Sequence, residues 1–167
     1  MARAVSAGTA MAALAVCAGA CSHASPEPPP PGPPPNPPVV GAACAGDLDG
    51  ALTSIGDAKD LLECSGATWQ PFVDPYPSSD RWLTTGPELV LHGQGRRNPE
   101  FHGGTWTAAP LTADTTCSAQ IVDVAGAGKK TGPPQTLTAE PGQPLTVEVS
   151  DHMFTVRLTG YCLWQKG

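Results

Sequence analysis

Charge and aromatic rings are scarce in this sequence. Asp, Glu, Lys and Arg make up 14% of its 167 residues, and Phe, Trp and Tyr only 5%. Net charge is −6, and no basic run is longer than the pairs Arg96-Arg97 and Lys129-Lys130. A surface that neutralises nucleic-acid phosphates needs clustered Lys and Arg, so nucleic acid is not an expected partner. Long apolar runs are also missing. The uncharged stretch 4–20 is short and Ala-rich, whereas a spanning helix needs about 20 strongly apolar residues. Signatures of chemistry are absent too. There is no G-x-S-x-G to expose a nucleophile at a strand–turn–helix corner, no H-E-x-x-H and no phosphate-cradling glycine loop. No C-x-x-C occurs, and the cysteine spacings match no zinc pattern. Neither an enzyme nor a cofactor is expected.

Proline and glycine are plentiful instead, at 20 and 19 residues, and ten of the prolines fall between Pro26 and Pro38. Ahead of them, Met1-Ala2-Arg3 carries one positive charge, and "AVSAGTAMAALAVCAGA" adds an apolar middle and a small-residue end. This is the form of a secretory signal over 1–20. Ala18-Gly19-Ala20 before Cys21 resembles the bacterial lipobox, where a dedicated peptidase cuts ahead of a cysteine that has received a diacylglycerol. Before Cys17 stands Val16, β-branched and bulky where a lipobox has Gly, Ala or Ser. Cys21 is therefore the expected lipidation site, and Cys17 leaves with the signal. The alternative is an ordinary cut after Ser22-His23-Ala24, which would release a secreted, soluble protein. "SPEPPPPGPPPNPP" should be an extended polyproline II spacer, completing a segment 21–40 and reaching roughly 40 Å. Two acyl chains on one cysteine suffice for stable attachment. The expected address is the extracytoplasmic face of the cell membrane.

Cys44, Cys64, Cys117 and Cys162 remain. An even number in an oxidising compartment reads as two disulfides. Three connectivities exist, and locality favours Cys44–Cys64 with Cys117–Cys162. Residues 41–87 read as a helical, turn-rich part. Leu48, Leu52, Ile55, Ala58 and Leu62 recur at three or four, Asp47 can cap the start, and Asp57 can restart a helix after Gly56. "DLDG" is no calcium loop: with Gly50 as the loop glycine, Ala45 and Gly56 occupy the key carboxylate positions. Trp69, Phe72, Tyr76 and Trp82 sit in an apparently irregular stretch and are expected to pack over a domain edge.

Residues 88–167 read as an antiparallel β-domain. "ELVLHG", "GTWTA", "CSAQIVDV" and "QTLTA" are expected strands. Within "LTVEVSDHMFTVRLTG", Leu145, Val147 and Val149, then Phe154, Val156 and Leu158, alternate with polar residues. This predicts a hairpin with one apolar face, turning at Asp151-His152-Met153. The expected fold class is mainly β with a short α element near the N-terminus: a small antiparallel β-sandwich or sheet.

The residues "GTW" (Gly104 to Trp106), Cys117, Pro144 to Val149, Phe154 and the closing "GYCLW" carry a resemblance. Over about 101–165 the chain is similar to the small secreted β-domains of mycobacterial and related actinobacterial lipoproteins. Those read G-T-Y near one strand, a strand cysteine and a G-C-x-W ending. This chain departs by Tyr161, inserted between the glycine and the cysteine, and by a longer Lys129-Lys130 loop. The resemblance implies an envelope location and a Cys117–Cys162 disulfide, and no catalytic residue.

One loop merits chemical attention. "HGQGRRNPEFHGG" holds His92, Arg96, Arg97, Glu100 and His102. Two histidines and a carboxylate could bind a metal. Arg96 and Arg97 could hold an anionic headgroup or phosphate, and this is the better functional reading of the loop. Its alternative is a solvated polar loop between strands. The carboxylate pairs Asp47/Asp49 and Asp57/Asp60 read as polar helix faces. The function expected from the sequence is a membrane-anchored, non-catalytic envelope lipoprotein. Its partner would be an envelope glycolipid, polysaccharide or protein. The alternatives are a secreted soluble protein, a lipid carrier, or an envelope enzyme using the His92–His102 loop.

Overall fold

The computed structural model describes residues 36–56, 60–85, 88–93, 97–126 and 129–167. The signal, Cys21 and most of the proline spacer lie outside them. The described chain is mainly β, in two sheets. The larger runs in the order β10 (Leu145–Val149), β6 (Gly104–Pro110), β12 (Cys162–Lys166), β4 (Arg81–Thr84), β1 (Leu52–Ser54), β2 (Leu61–Ser65) and β3 (Thr68–Phe72). The smaller runs β5 (Leu89–His92), β11 (Met153–Thr159) and β7 (Ser118–Gly126). Along the outer side of β7 lie β9 (Gln135–Thr138) and β8 (Lys129–Lys130), one after the other. All pairings are antiparallel except β1 with β4, which meet in parallel at Leu52 and Trp82.

The core follows from the two-residue period of a strand. Trp82, Trp106, Ala108, Val147, Leu52 and Trp164 of the large sheet meet Leu91, Ile121, Val156, Leu158 and Met153 of the small one in a single cluster. The alternate residues do not all face water. Leu62, Cys64, Trp69, Leu83 and Leu163 form a second cluster with Cys44, Leu48 and Ala51. The large sheet is thus buried on both faces where it passes beneath 42–51. Both disulfides are formed. Cys44–Cys64 ties that covering segment to β2, and Cys117–Cys162 ties the start of β7 to β12, each with Cα atoms 6.0 Å apart.

Among the described residues, the helix expected near the N-terminus is replaced by one 3-10 turn, Gly46–Leu48, and two strands; Asp57 and Ala58 of that reading lie outside the described residues. Gly50 and Gly56 have φ of +74° and +67°, turn conformations that a helix interior does not contain. Between them Leu52 pairs with Glu63, Thr53 with Leu62 and Ser54 with Leu61. The spacing of three and four arises because Leu52 serves one cluster while Leu48, Ile55 and Leu62 serve the other. The stretch 65–87 is also more regular than its turn residues suggest. It supplies β3 and β4, and Trp82 lies fully buried in the main core rather than at an edge.

The strands expected after Glu88 are present, with two corrections. β10 and β11 are not a hairpin: β10 pairs with β6 in one sheet, β11 with β5 and β7 in the other, and the chain changes sheet at 150–152. The second correction lies in β11. Its pairing with β7 slips between Met153 and Thr155, a bulge that shifts the alternation by one residue. Met153 is fully buried as a result, while Phe154 is 37% exposed.

Candidate ligand groove

The loop 92–102 is built as a seal on β5. Glu100 folds back so that its Oε2 accepts the backbone N–H of His92 at 2.8 Å and the ring Nδ1–H at 3.0 Å. The backbone N–H groups of Glu100 and Phe101 donate to the His92 carbonyl at 2.8 and 3.1 Å. These bonds occupy the outward backbone groups of His92 at the open edge of the small sheet, where unpaired groups invite intermolecular pairing. Phe101 then stacks on Trp106, with ring centroids 3.7 Å apart. His102 points elsewhere: its Nε2 shares a 2.7 Å hydrogen bond with Ser78 Oγ, and its carbonyl accepts from Trp106 Nε1–H at 2.8 Å.

The two histidines of this loop therefore have separate partners. Among the described residues, no group of three or more His, Cys, Asp or Glu side chains is placed to hold a metal. Arg97 is exposed on the loop, and Arg96 lies outside the described residues. The Ser78–His102 bond pairs a hydroxyl with an imidazole, but Ser78 is exposed at the surface. Exposure and the hydrogen bond alone do not make it an activated nucleophile, which also needs an oriented base and a place for the reacting carbonyl.

The more developed concavity lies on the outer face of the large sheet. There the chain 36–51 crosses β3, β2 and β4. The edge of β3 is sealed by this segment: Gly41 N–H donates to the Trp69 carbonyl, Cys44 N–H to Ala67, and Trp69 N–H to Ala42, at 2.8 to 3.0 Å. Arg81 reaches across to the Asp47 carbonyl. Beside the segment is a hollow of about 360 Å³ walled by Pro38, Val39, Leu48, Trp69, Leu83 and Tyr161. A second hollow of about 260 Å³ holds Thr53, Ser54 and Leu89, and shares Pro37, Leu83 and Thr85 with the first. The second hollow is not confined to that face, since Leu89 belongs to β5 of the small sheet and to the main core. Among the described lining residues of the two hollows the one charged side chain is Glu88, in the second. Glu88 is held by Arg157 at 2.7 Å.

These hollows are what motif reading missed. Their walls include Pro, Val, Leu, Thr, Trp and Tyr, residue types that carry no spaced signature. Tyr161 was the available signal. It interrupts the G-C-x-W ending, follows Gly160 at φ +93°, and packs half-buried against the second cluster. No protein-family model, curated protein or solved structure matches this chain.

Proposed function

We propose that the chain is an exported lipoprotein of the actinobacterial type, anchored to the outer face of the cell membrane by a diacylated Cys21, with a non-catalytic binding role. The observation that carries the reading is the use of the six cysteines. Four are paired as Cys44–Cys64 and Cys117–Cys162, and the other two, Cys17 and Cys21, both belong to the leader stretch. Stable structural disulfides belong to an oxidising compartment, which suits export. They also leave the cysteine after Ala18-Gly19-Ala20 without a partner among the cysteines of the folded part. The proline spacer suits a domain held off a surface. The first hollow supplies a concave, mostly apolar place for a ligand, as small-molecule sites usually do.

The test is fractionation of cells that express the full chain. Wild type should sediment with membranes, and Cys21→Ala should not. Wild type recovered free in the medium, starting at Ser25 without a lipid, would overturn the anchor. Recovery in the cytoplasm with all cysteines reduced would overturn export itself.

A further inference from the structure

We infer that β10, an open edge of the large sheet, is where two copies of this chain pair, antiparallel and centred on Val147. Neither the pairing nor its test depends on the anchored reading.

A strand edge with unpaired N–H and C=O groups is a template for another chain. At the far edge of the large sheet, 41–44 occupies β3 through the Gly41, Cys44 and Trp69 amides. At β5 of the small sheet, Glu100 and Phe101 occupy His92. β10 has no such seal. It ends the large sheet and pairs with β6, and no other described backbone group bonds to Leu145–Val149. The usual deterrents are missing too, since the strand LTVEV holds no proline, no lysine and no bulge.

Strand alternation tells which groups point outward. Gly167 N–H donates to the Thr105 carbonyl at 2.9 Å. Thr105 therefore directs its backbone groups toward β12, and Thr107 and Ala109 do the same. Gly104, Trp106 and Ala108 direct theirs toward β10, where they meet Val149, Val147 and Leu145 without a register shift. Thr146 and Glu148 are left with their N–H and C=O groups turned away from β6. Both residues are exposed.

A two-fold pair that continues the sheet and keeps its apolar faces on one side is antiparallel. Three registers match these outward residues with one another. Thr146 opposite Thr146 sets Glu148 against Pro144, which has no N–H to give. Glu148 opposite Glu148 brings like charges together, which destabilises a sheet. Thr146 opposite Glu148 avoids both faults. Every outward N–H and C=O of the two residues then finds a partner, and Val147 faces Val147 across the axis. The side chains also suit one another. Thr105 Oγ1–H already donates to Glu148 Oε1 at 2.8 Å, and the second carboxylate oxygen can accept the Thr146 hydroxyl of the other copy.

The test uses the full chain with Cys17 and Cys21 replaced by alanine, which leaves no acyl group and no spare thiol. Sedimentation equilibrium should show a reversible association of monomer to dimer. Thr146→Glu sets carboxylate against carboxylate at both ends of the pairing and should raise the dissociation constant about tenfold or more. Thr146→Lys places an ammonium there instead and should leave the constant at or below the wild-type value. Thr146→Pro removes an outward N–H that β6 does not use and should also break the pair. Cross-linking reads the register. Chains carrying Thr146→Cys mixed with chains carrying Glu148→Cys should form a disulfide dimer on oxidation, because bonded partners lie about 5.5 Å apart at Cα. Either variant alone should not, since like positions are then further apart than a disulfide spans.

The pairing is refuted by a monomer at every concentration. A dimer that tolerates both Thr146→Glu and Thr146→Pro would place the contact elsewhere and refute it equally. So would cross-linking as complete in either cysteine variant alone as in the mixture, because the register would then be different.

Discussion

The bulge in β11 makes a sharp prediction, because it reverses which of two neighbours carries stability. Strict alternation over 154–158 would bury Phe154 and expose Met153. The pairing slip between Met153 and Thr155 does the opposite. Met153 is 0% exposed and its Cε and Sδ crowd the backbone at Gly93, while Phe154 is 37% exposed. Truncating a fully buried methionine loses its transfer free energy and leaves a cavity, so Met153→Ala should cost about 3 kcal/mol. Phe154→Ala leaves a notch open to solvent and forfeits only part of a phenylalanine's burial, about 1 kcal/mol. At about 4 °C per kcal/mol for a domain of this size, Tm should fall by roughly 12 °C in the first variant and roughly 4 °C in the second. Urea unfolding with the disulfides intact, followed by tryptophan fluorescence, should show the same ranking in midpoint at unchanged slope. A cost for Phe154→Ala equal to or above that of Met153→Ala would refute the bulge and restore simple alternation.

Three further outcomes follow from the packing. Replacing Cys44 and Cys64 together by alanine opens a loop of sequence separation 20 and should cost about 3 kcal/mol, read as a loss of urea midpoint under non-reducing conditions. Gly160→Ala should destabilise by about 3 kcal/mol in the same assay. Its φ is +93°, and an added Cβ would sit 2.3 Å from the Thr116 carbonyl oxygen, which cannot swing away as a side-chain tip could. The core tryptophans should respond unequally to phenylalanine. Trp106 donates to the His102 carbonyl at 2.8 Å, whereas Trp164 Nε1 is buried without a partner among the described residues. Trp106→Phe therefore forfeits a bond and should be the more damaging by about 1 kcal/mol, measured by calorimetry.

The β half of the chain was legible because its strands keep the simple period. β10 buries Val147 and Val149 while Thr146 and Glu148 stay exposed, and β9 and β7 sit where β-branched residues cluster. β1, β4 and β12 hide theirs. Their burial runs continuously, as at Trp82, Leu83 and Thr84 or Cys162, Leu163 and Trp164, since both faces of the large sheet are covered there. In a short strand such burial cannot be told from helical spacing, and 47–64 accordingly reads as a helix. The change of sheet between β10 and β11 is invisible for a related reason. A two-residue period says which face is apolar, not which sheet the face belongs to, and Ser150 to His152 look like any tight turn. The disulfide partners were readable from locality in the chain.

Candidate sites were less legible. His92 and Glu100 attract attention as metal ligands, yet the carboxylate holds a strand edge, a role set by backbone N–H groups that sequence does not display. The first hollow depends on the 36–51 segment folding over Trp69, Leu83 and Tyr161. Those three residues come from distant parts of the chain, and none carries a motif.

The central functional claim concerns the first residue of the mature protein. Mass spectrometry of the N-terminal peptide from membrane-extracted protein tests it most directly. The account predicts a chain that begins at Cys21 and carries a diacylglycerol on its sulfur. An unmodified N-terminus at Ser25, or a peptide that retains residues 1–20 with a free Cys21, would contradict it.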